Sequence, residues 1–171
     1  VKSNEQSLMF TLNCKGRLGS FQQPQVMGII NCTPDSFYAG SRFSGTDRLL
    51  EQAETMIREG AAILDLGGQS TRPGSSLVSG EEEMKRVLPS LEAIHRRFPD
   101  TLLSIDSFRS EVAARALEAG ASLVNDVSAG SMDPALPALA AAWRVPYIAM
   151  HHRGIPAGGR EEIYTRIAVD L

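Results

Sequence analysis

Apolar positions along the chain fall into two alternating kinds of grouping. Short runs rich in Val, Ile and Leu occur at "VMGII" (26–30), "AAILDLG" (61–67), "TLLSID" (101–106), "SLVND" (122–126) and "VPYIAM" (145–150). Between them, apolar residues recur three and four apart, as on one face of a helix. "DRLLEQAETMIREG" is such a stretch, closed by Gly60 at a position suited to the residue just past a helix end. In "EEEMKRVLPSLEAIHRRF" the residues Met84, Val87, Leu88, Leu91 and Ile94 share one face. Ser79 and Glu82 have capping-box spacing at its start, and Pro89 inside it predicts a kink. "SEVAARALEAG" gives a third helix. Asp133-Pro134 predicts the start of a fourth, as N-cap and first helical residue, and a fifth is predicted from about Glu161. Ahead of this rhythm, "SLMFTLN", "CKG" and "RLGSF" read as strand, turn and strand.

Apolar strands alternating with helices are the pattern of parallel βαβ units whose sheet is buried on both faces, so the fold class is α/β. An open doubly wound sheet and a TIM (β/α)8 barrel are both built this way. The GxGxxG fingerprint of a dinucleotide-binding sheet is absent after the first strand, and the hairpin suits a plug for a barrel's N-terminal mouth. The barrel is therefore expected. Five units begin at about 26, 61, 101, 122 and 145, whereas eight need roughly 250 residues. A five-strand arc would leave two open edges. The expectation is one incomplete barrel domain over 1–171, with a hairpin over 8–23 and βα units one to five over 26–171, in a longer protein.

Composition narrows the classes of function. Hydrophobic residues are 43% and charged residues 22% of the 171, an ordinary globular balance. A net charge of −3 without a basic block offers no nucleic-acid platform. No apolar run approaches membrane-spanning length and no signal-like segment opens the chain, so no membrane association is expected and the cytoplasm is the default compartment. Cys14 and Cys32 lack metal-ligand spacing and do not form a disulfide framework.

In parallel α/β architectures function gathers beyond the carboxyl ends of the strands. There the chain places Asn31, Asp65 followed by "GGQSTRPG", Asp106, Asn125-Asp126, and Met150-His151-His152-Arg153. Each residue has a plain reading too. Asp106 or Ser107 would cap a helix, Asn125 or Asp126 would satisfy a turn, and Asp65 would be a buried structural carboxylate or a ligand. His95 lies on a charged helix face with no chemical task. Five consecutive strand ends with hydrogen-bonding side chains are harder to explain by turns alone. Asp106 with Asn125 suits a flat heterocycle bearing amino and keto groups, because a carboxylate accepts from two N–H donors and an amide gives and accepts. "GGQSTRPG" suits an anion: its glycines admit backbone N–H groups, Ser70 and Thr71 donate, and Arg72 brings charge. A mobile loop is its plain reading. Asn31 offers one oxygen, a reasonable ligand for Mg²⁺ held mainly by phosphate and water.

"MGIINCTPDSF", "ILDLGGQSTRPG", "SIDS", "LVNDVSAG" and "YIAMHHRG" resemble the dihydropteroate synthase family of pterin-binding enzymes, in the family's order and at the ends of strands one to five. "LNCKGRLGSF" resembles the hairpin before its first strand. The resemblance implies a TIM-barrel transferase of folate biosynthesis that joins 6-hydroxymethyl-7,8-dihydropterin diphosphate to 4-aminobenzoate and releases diphosphate. It implies that Asp106 and Asn125 hold the pterin ring, with Val127 and Met150 packed on it. Asn31 would contact Mg²⁺ near the diphosphate, and Thr71 and Arg72 would touch the diphosphate. Phe37 and Pro73 would shape the aminobenzoate pocket, and Asp35 would belong to the closed form of the first loop. Asp35, Thr71 and Arg72 are the implied catalytic residues. A homodimer and competition by sulfonamides are also implied. Cys32 stands where the family more often has valine. The family's later portion supplies a second pterin aspartate, a ring-binding lysine and an arginine–histidine pair, to which no residue here corresponds. Without them no activity is expected.

Two alternatives remain open on the sequence alone. One is a pterin-binding methyltransferase passing methyl from methyltetrahydrofolate to a corrinoid, which has no need of the "TPDSF" and "STRPG" loops. The other is a non-catalytic pterin-binding module.

Overall fold

The computed structural model describes residues 10–33, 45–69 and 77–150. The chain opens with β1 (Phe10–Cys14) and β2 (Arg17–Phe21), an antiparallel hairpin. Its two-residue turn puts both Lys15 (φ 58°) and Gly16 (φ 88°) in the left-handed region, the twist that suits a tight hairpin. The Asn13 Oδ1 accepts from the Gly16 N–H at 2.7 Å and holds that turn.

Five parallel strands follow: β3 (Val26–Asn31), β4 (Ala61–Gly67), β5 (Leu102–Asp106), β6 (Leu123–Asp126) and β7 (Tyr147–Ala149). They pair in chain order, β3-β4-β5-β6-β7, every neighbour parallel. A doubly wound sheet reverses its order at a switch point, and this sheet does not. It is an arc of an α/β barrel, as the strand rhythm predicts.

Helices α1 (Gly45–Arg58), α2 (Gly80–Arg97), α3 (Ser110–Glu118) and α4 (Leu136–Trp143) link the strands and cover one face. Alternation assigns the two sides of each strand. Ile30, Leu64, Leu66, Leu103, Ile105 and Val124 meet Leu49, Ala53, Val87, Leu91, Ile94, Val112, Ala116 and Leu117 from the helices, all buried. Each such Val, Leu or Ile side chain contributes about 1.5–3 kcal/mol by leaving water. The opposite, inner face is apolar at its lower end, where Cys14 of the hairpin packs with Ile63 and Leu123, flanked by Met27 and Leu102. The hairpin therefore lies against the amino-terminal end of the arc.

Two helix starts differ in detail from expectation. The Ser79 Oγ caps α2 by accepting from the Glu82 N–H at 3.2 Å, while the Glu82 carboxylate pairs with Arg86 at 2.7 Å. The fourth helix begins at Leu136 rather than at Pro134, and Asp133 is not its N-cap. Asp133 instead closes a turn by accepting from the Ala135 N–H, and its other oxygen accepts from the Ser110 N–H at 2.7 Å. It thus caps α3, whose own N-cap residue Arg109 makes no side-chain capping bond. α2 continues through Pro89, which sits on its exposed side and forgoes one backbone bond. The helix expected from about Glu161 lies outside the described residues.

Candidate functional site

Strand register decides what gathers at the carboxyl rim. Asn31 pairs with Gly67, Gly67 with Asp106, Asp106 with Asn125, and Asn125 with Ile148. The five residues form one row across the sheet. Their neighbours Ile30, Leu66, Ile105 and Val124 face the helices, so the row itself faces inward. The row beneath it is Ile29, Asp65, Ser104 and Leu123.

Gly67 makes room for Asp106: a Cβ there would stand 3.2 Å from the Asp106 Oδ2. Asp106 neither caps α3 nor makes an ion pair with any described residue. Ser107 takes the local turn, its Oγ accepting from the Arg109 N–H at 3.2 Å. Burial, and then the negative charges of Asp65, Glu83 and Asp126, push the Asp106 carboxyl up to about 7. An acid left without a cation among the described residues is placed to receive donors from a ligand.

Asn125 and Asp126 divide the two readings left open by their sequence. Asp126 is fully buried on the helix side and accepts from the Ser128 N–H, the Gly130 N–H and the Tyr147 hydroxyl, each at 2.7 Å. Burial raises its pKa, but these bonds outweigh that and hold it below the usual carboxylate range, so it is the turn residue. Asn125 is 8% exposed on the inner face. Its Nδ2 donates to the Asp65 Oδ2 at 2.9 Å. Asp65 itself is 3% exposed, and its Oδ1 is buried with no partner among the described residues.

Asn31 stands exposed at the end of β3. Val127 follows β6 and is half-buried, and Met150, 45% exposed, follows β7 with its N–H donating to the Asp126 carbonyl at 3.1 Å. Asn31, Asp106, Asn125, Val127 and Met150 are thus brought to one rim. Asp35, Phe37, Thr71, Arg72 and Pro73 lie outside the described residues. Cys32 is buried, and burial lifts its thiol to about 11, which leaves it protonated and unsuited to nucleophilic work. Both cysteines are free.

The roots of the "GGQSTRPG" segment are tied down. The Gln69 Oε1 accepts from the Val78 N–H at 2.9 Å, closing the chain across nine residues. The Arg109 guanidinium donates to the Val78 carbonyl at 2.7 Å and to the Glu83 Oε2, stacks on the Phe108 ring, and so binds α2 to the start of α3. Glu83 is fully buried. Gly68 is required beneath it, because a Cβ at that position would meet the Glu83 carbonyl oxygen at 2.8 Å. Sequence reading missed Arg109 and Glu83. Their signal, one Arg and one Glu among many on charged helices, is invisible until α2 and α3 pack.

Asn31 presents one hard oxygen donor at the open rim, and no group of three His, Cys, Asp or Glu suited to a metal occurs among the described residues. That donor set does not make a protein cage. It fits a Mg²⁺ ion that takes most of its ligands from phosphate and water.

Comparisons with known proteins bear on this rim. Residues 27–170 match the family described as pterin binding enzyme. The dihydropteroate synthase of Streptococcus pyogenes is 44% identical over 146 residues, 85% of this chain and 52% of that protein. The mitochondrial folate synthesis bifunctional protein of Arabidopsis thaliana is 50% identical over 134 residues, 77% of this chain and 24% of that one. The structure of Xanthomonas albilineans dihydropteroate synthase with 4-aminobenzoic acid superposes with a TM-score of 0.80 at 37% identity, covering 94% of this chain and 59% of that chain. The same enzyme in complex with 7,8-dihydropteroate gives 0.75 at 34% identity, covering 94% and 58%. The chain spans about half the length, or less, of the curated relatives it matches.

Proposed function

The chain belongs to the pterin-binding enzyme family, and from that premise we propose that the protein carrying it is a dihydropteroate synthase. It would condense 6-hydroxymethyl-7,8-dihydropterin diphosphate with 4-aminobenzoate to give 7,8-dihydropteroate and diphosphate. The observation that carries this reading is the single inward row in which Gly67 makes space for Asp106 and Asn125 stands beside it. In this reading the chain contributes a hairpin and the first five βα units of one pterin-binding barrel domain.

Each residue has a task in that reaction. The Asp106 carboxylate collects two N–H donors of the pterin, and Asn125 bonds the same ring edge. Val127 and Met150 pack on the ring faces. Thr71 and Arg72 hold the diphosphate, Phe37 and Pro73 line the aminobenzoate pocket, and Asp35 acts in the first loop. Asn31 is the residue that would contact Mg²⁺, which when bound neutralises charge on the diphosphate. The bond from the pterin methylene carbon to the diphosphate oxygen breaks as the aminobenzoate nitrogen bonds to that carbon, and the nitrogen then gives up one proton. An electron-rich ring favours early departure of the leaving group, so groups that steady diphosphate and ring account for most of the rate. Loops around the weak amine nucleophile supply proximity and exclude water. No covalent enzyme intermediate is required.

Similarity to a dihydropteroate synthase solved with 4-aminobenzoic acid and with dihydropteroate supports these substrates, and sulfonamides, as aminobenzoate mimics, are expected to compete. A cytoplasmic homodimer completes the proposal. No helix among the described residues is long and apolar enough to cross a membrane. The test is chromatographic detection of dihydropteroate and diphosphate from the two substrates with the intact protein. Absence of product, with both substrates still bound, would overturn the assignment in favour of a binding module.

A further inference from the structure

We propose that Asp65 is a positioning residue for the pterin site, fixing the side-chain amide of Asn125 so that its carbonyl oxygen is turned away from Asp65 and presented at the rim. The inference rests on the reading above, in which Asn125 bonds the pterin ring. It goes further by assigning the orientation of that amide, and hence the kind of ring edge it accepts.

Three observations carry it. The Asn125 Nδ2 lies 2.9 Å from the Asp65 Oδ2. A carboxylate only accepts, so the opposite amide orientation would set two acceptor oxygens against each other in a site where both residues are buried. Asp65, on β4, is one inward row below Asn125, on β6, and the register places β5 with Ser104 and Asp106 between them. It reaches the amide from the row beneath. Finally, the Asp65 Oδ1 and the Ser104 Oγ are both buried without partners among the described residues, and the two residues are register neighbours. Asp65 is therefore not there to satisfy a turn or a helix end. Among the described residues its carboxylate accepts from Asn125.

The consequence is a defined pattern at the rim. Asp106 offers acceptors, and Asn125 offers a carbonyl oxygen with at most one remaining N–H. A heterocycle with a run of donors along one edge is matched, and one with acceptors at the Asn125 end is rejected. With Asp65 replaced by an amide the constraint disappears, since Asp65→Asn lets either orientation of Asn125 find a partner.

The experiment uses the intact protein and pterin itself as the calorimetric probe, with 4-aminobenzoate kinetics measured alongside. Asp65→Asn is expected to weaken pterin binding about tenfold, the scale of one hydrogen bond to a charged group, with the KM for 4-aminobenzoate unchanged. In an Asn125→Ala background the same substitution should have no further effect on pterin affinity, because the loss runs through Asn125. An equal tenfold loss in that background would make Asp65 merely structural and overturn the proposal, as would unchanged affinity in the single variant. If Asn125→Ala itself leaves pterin affinity unchanged, the pterin assignment of the rim fails instead. Should Asp65→Asn not fold, the wild-type protein still decides. Labelled at asparagine nitrogen, it should show one Asn125 side-chain N–H shifted downfield and protected from exchange. Two freely exchanging protons would sink the idea.

Discussion

Asp106 keeps its proton up to about pH 7 because it is buried among Asp65, Glu83 and Asp126. Folding therefore holds this proton more tightly than the unfolded chain, whose ordinary value is 3.8. Between those two values the native state binds the extra proton, so the group's contribution to stability falls as pH rises and stays low above pH 7. Asp106→Asn removes that penalty. It is expected to raise the melting temperature at pH 8 while sharply weakening pterin binding, and unchanged pterin affinity in calorimetry would refute the role. Because only the carboxylate accepts two donors, wild-type affinity for pterin should rise from pH 6 to pH 8, and the Asp106→Asn protein should lack that rise. Gly67→Ala probes the same point sterically, since a Cβ 3.2 Å from the Asp106 oxygen must displace it. The expected result is weaker pterin binding with little loss of fold, read by titration and thermal melt. The identity of Asp106 and Asn125 as rim residues was readable because strand ends are marked by where apolar runs stop. The task of Asp65 was not readable, since its partner lies sixty residues away and across two strands.

Elements were predicted where a period was strong, as with Val87, Leu91 and Ile94 along one face of α2. Boundaries failed where side chains serve a different element than their own. Asp133 reads as the cap of the helix after it and instead caps α3, twenty-three residues back. The pairing of Arg109 with buried Glu83 is another long-range tie, and it fixes the entry to α3 against α2 near the roots of the "GGQSTRPG" segment. Arg109→Ala would strand the Glu83 charge inside the protein, at a cost of about 3–5 kcal/mol. Denaturant unfolding should show a lower midpoint with an unchanged slope. Replacing the pair together, Glu83→Leu with Arg109→Met, should cost much less, because no charge is left alone. An equal loss in both proteins would mean that the pair's geometry, not its charge, holds the helices.

Across the whole molecule the two ends of the arc have different duties. The hairpin closes the lower end, where Lys15 donates to the Leu117 carbonyl at 2.6 Å and stands 4.9 Å from the centre of the Trp143 ring. A cation at the carboxyl end of α3 also interacts favourably with the helix dipole. Lys15→Ala is expected to cost about 1 kcal/mol, lowering the melting temperature by about 2–4 °C with kcat and KM unchanged. A change in either constant would show that the hairpin reaches the rim. The alternation that builds the arc has a consequence for anyone wishing to redesign it. Adjacent letters of the sequence answer to different selectors: Leu64, Leu66, Leu103, Ile105 and Val124 to volume, and, in the function proposed above, Asp65, Gly67, Asp106 and Asn125 to recognition. A combinatorial library that randomises only the first set among aliphatic residues should yield a broad spread of melting temperatures and a narrow spread of ligand affinities. One that randomises the second set should do the reverse, so thermal robustness and ligand choice are nearly separate coordinates for directed evolution of this scaffold.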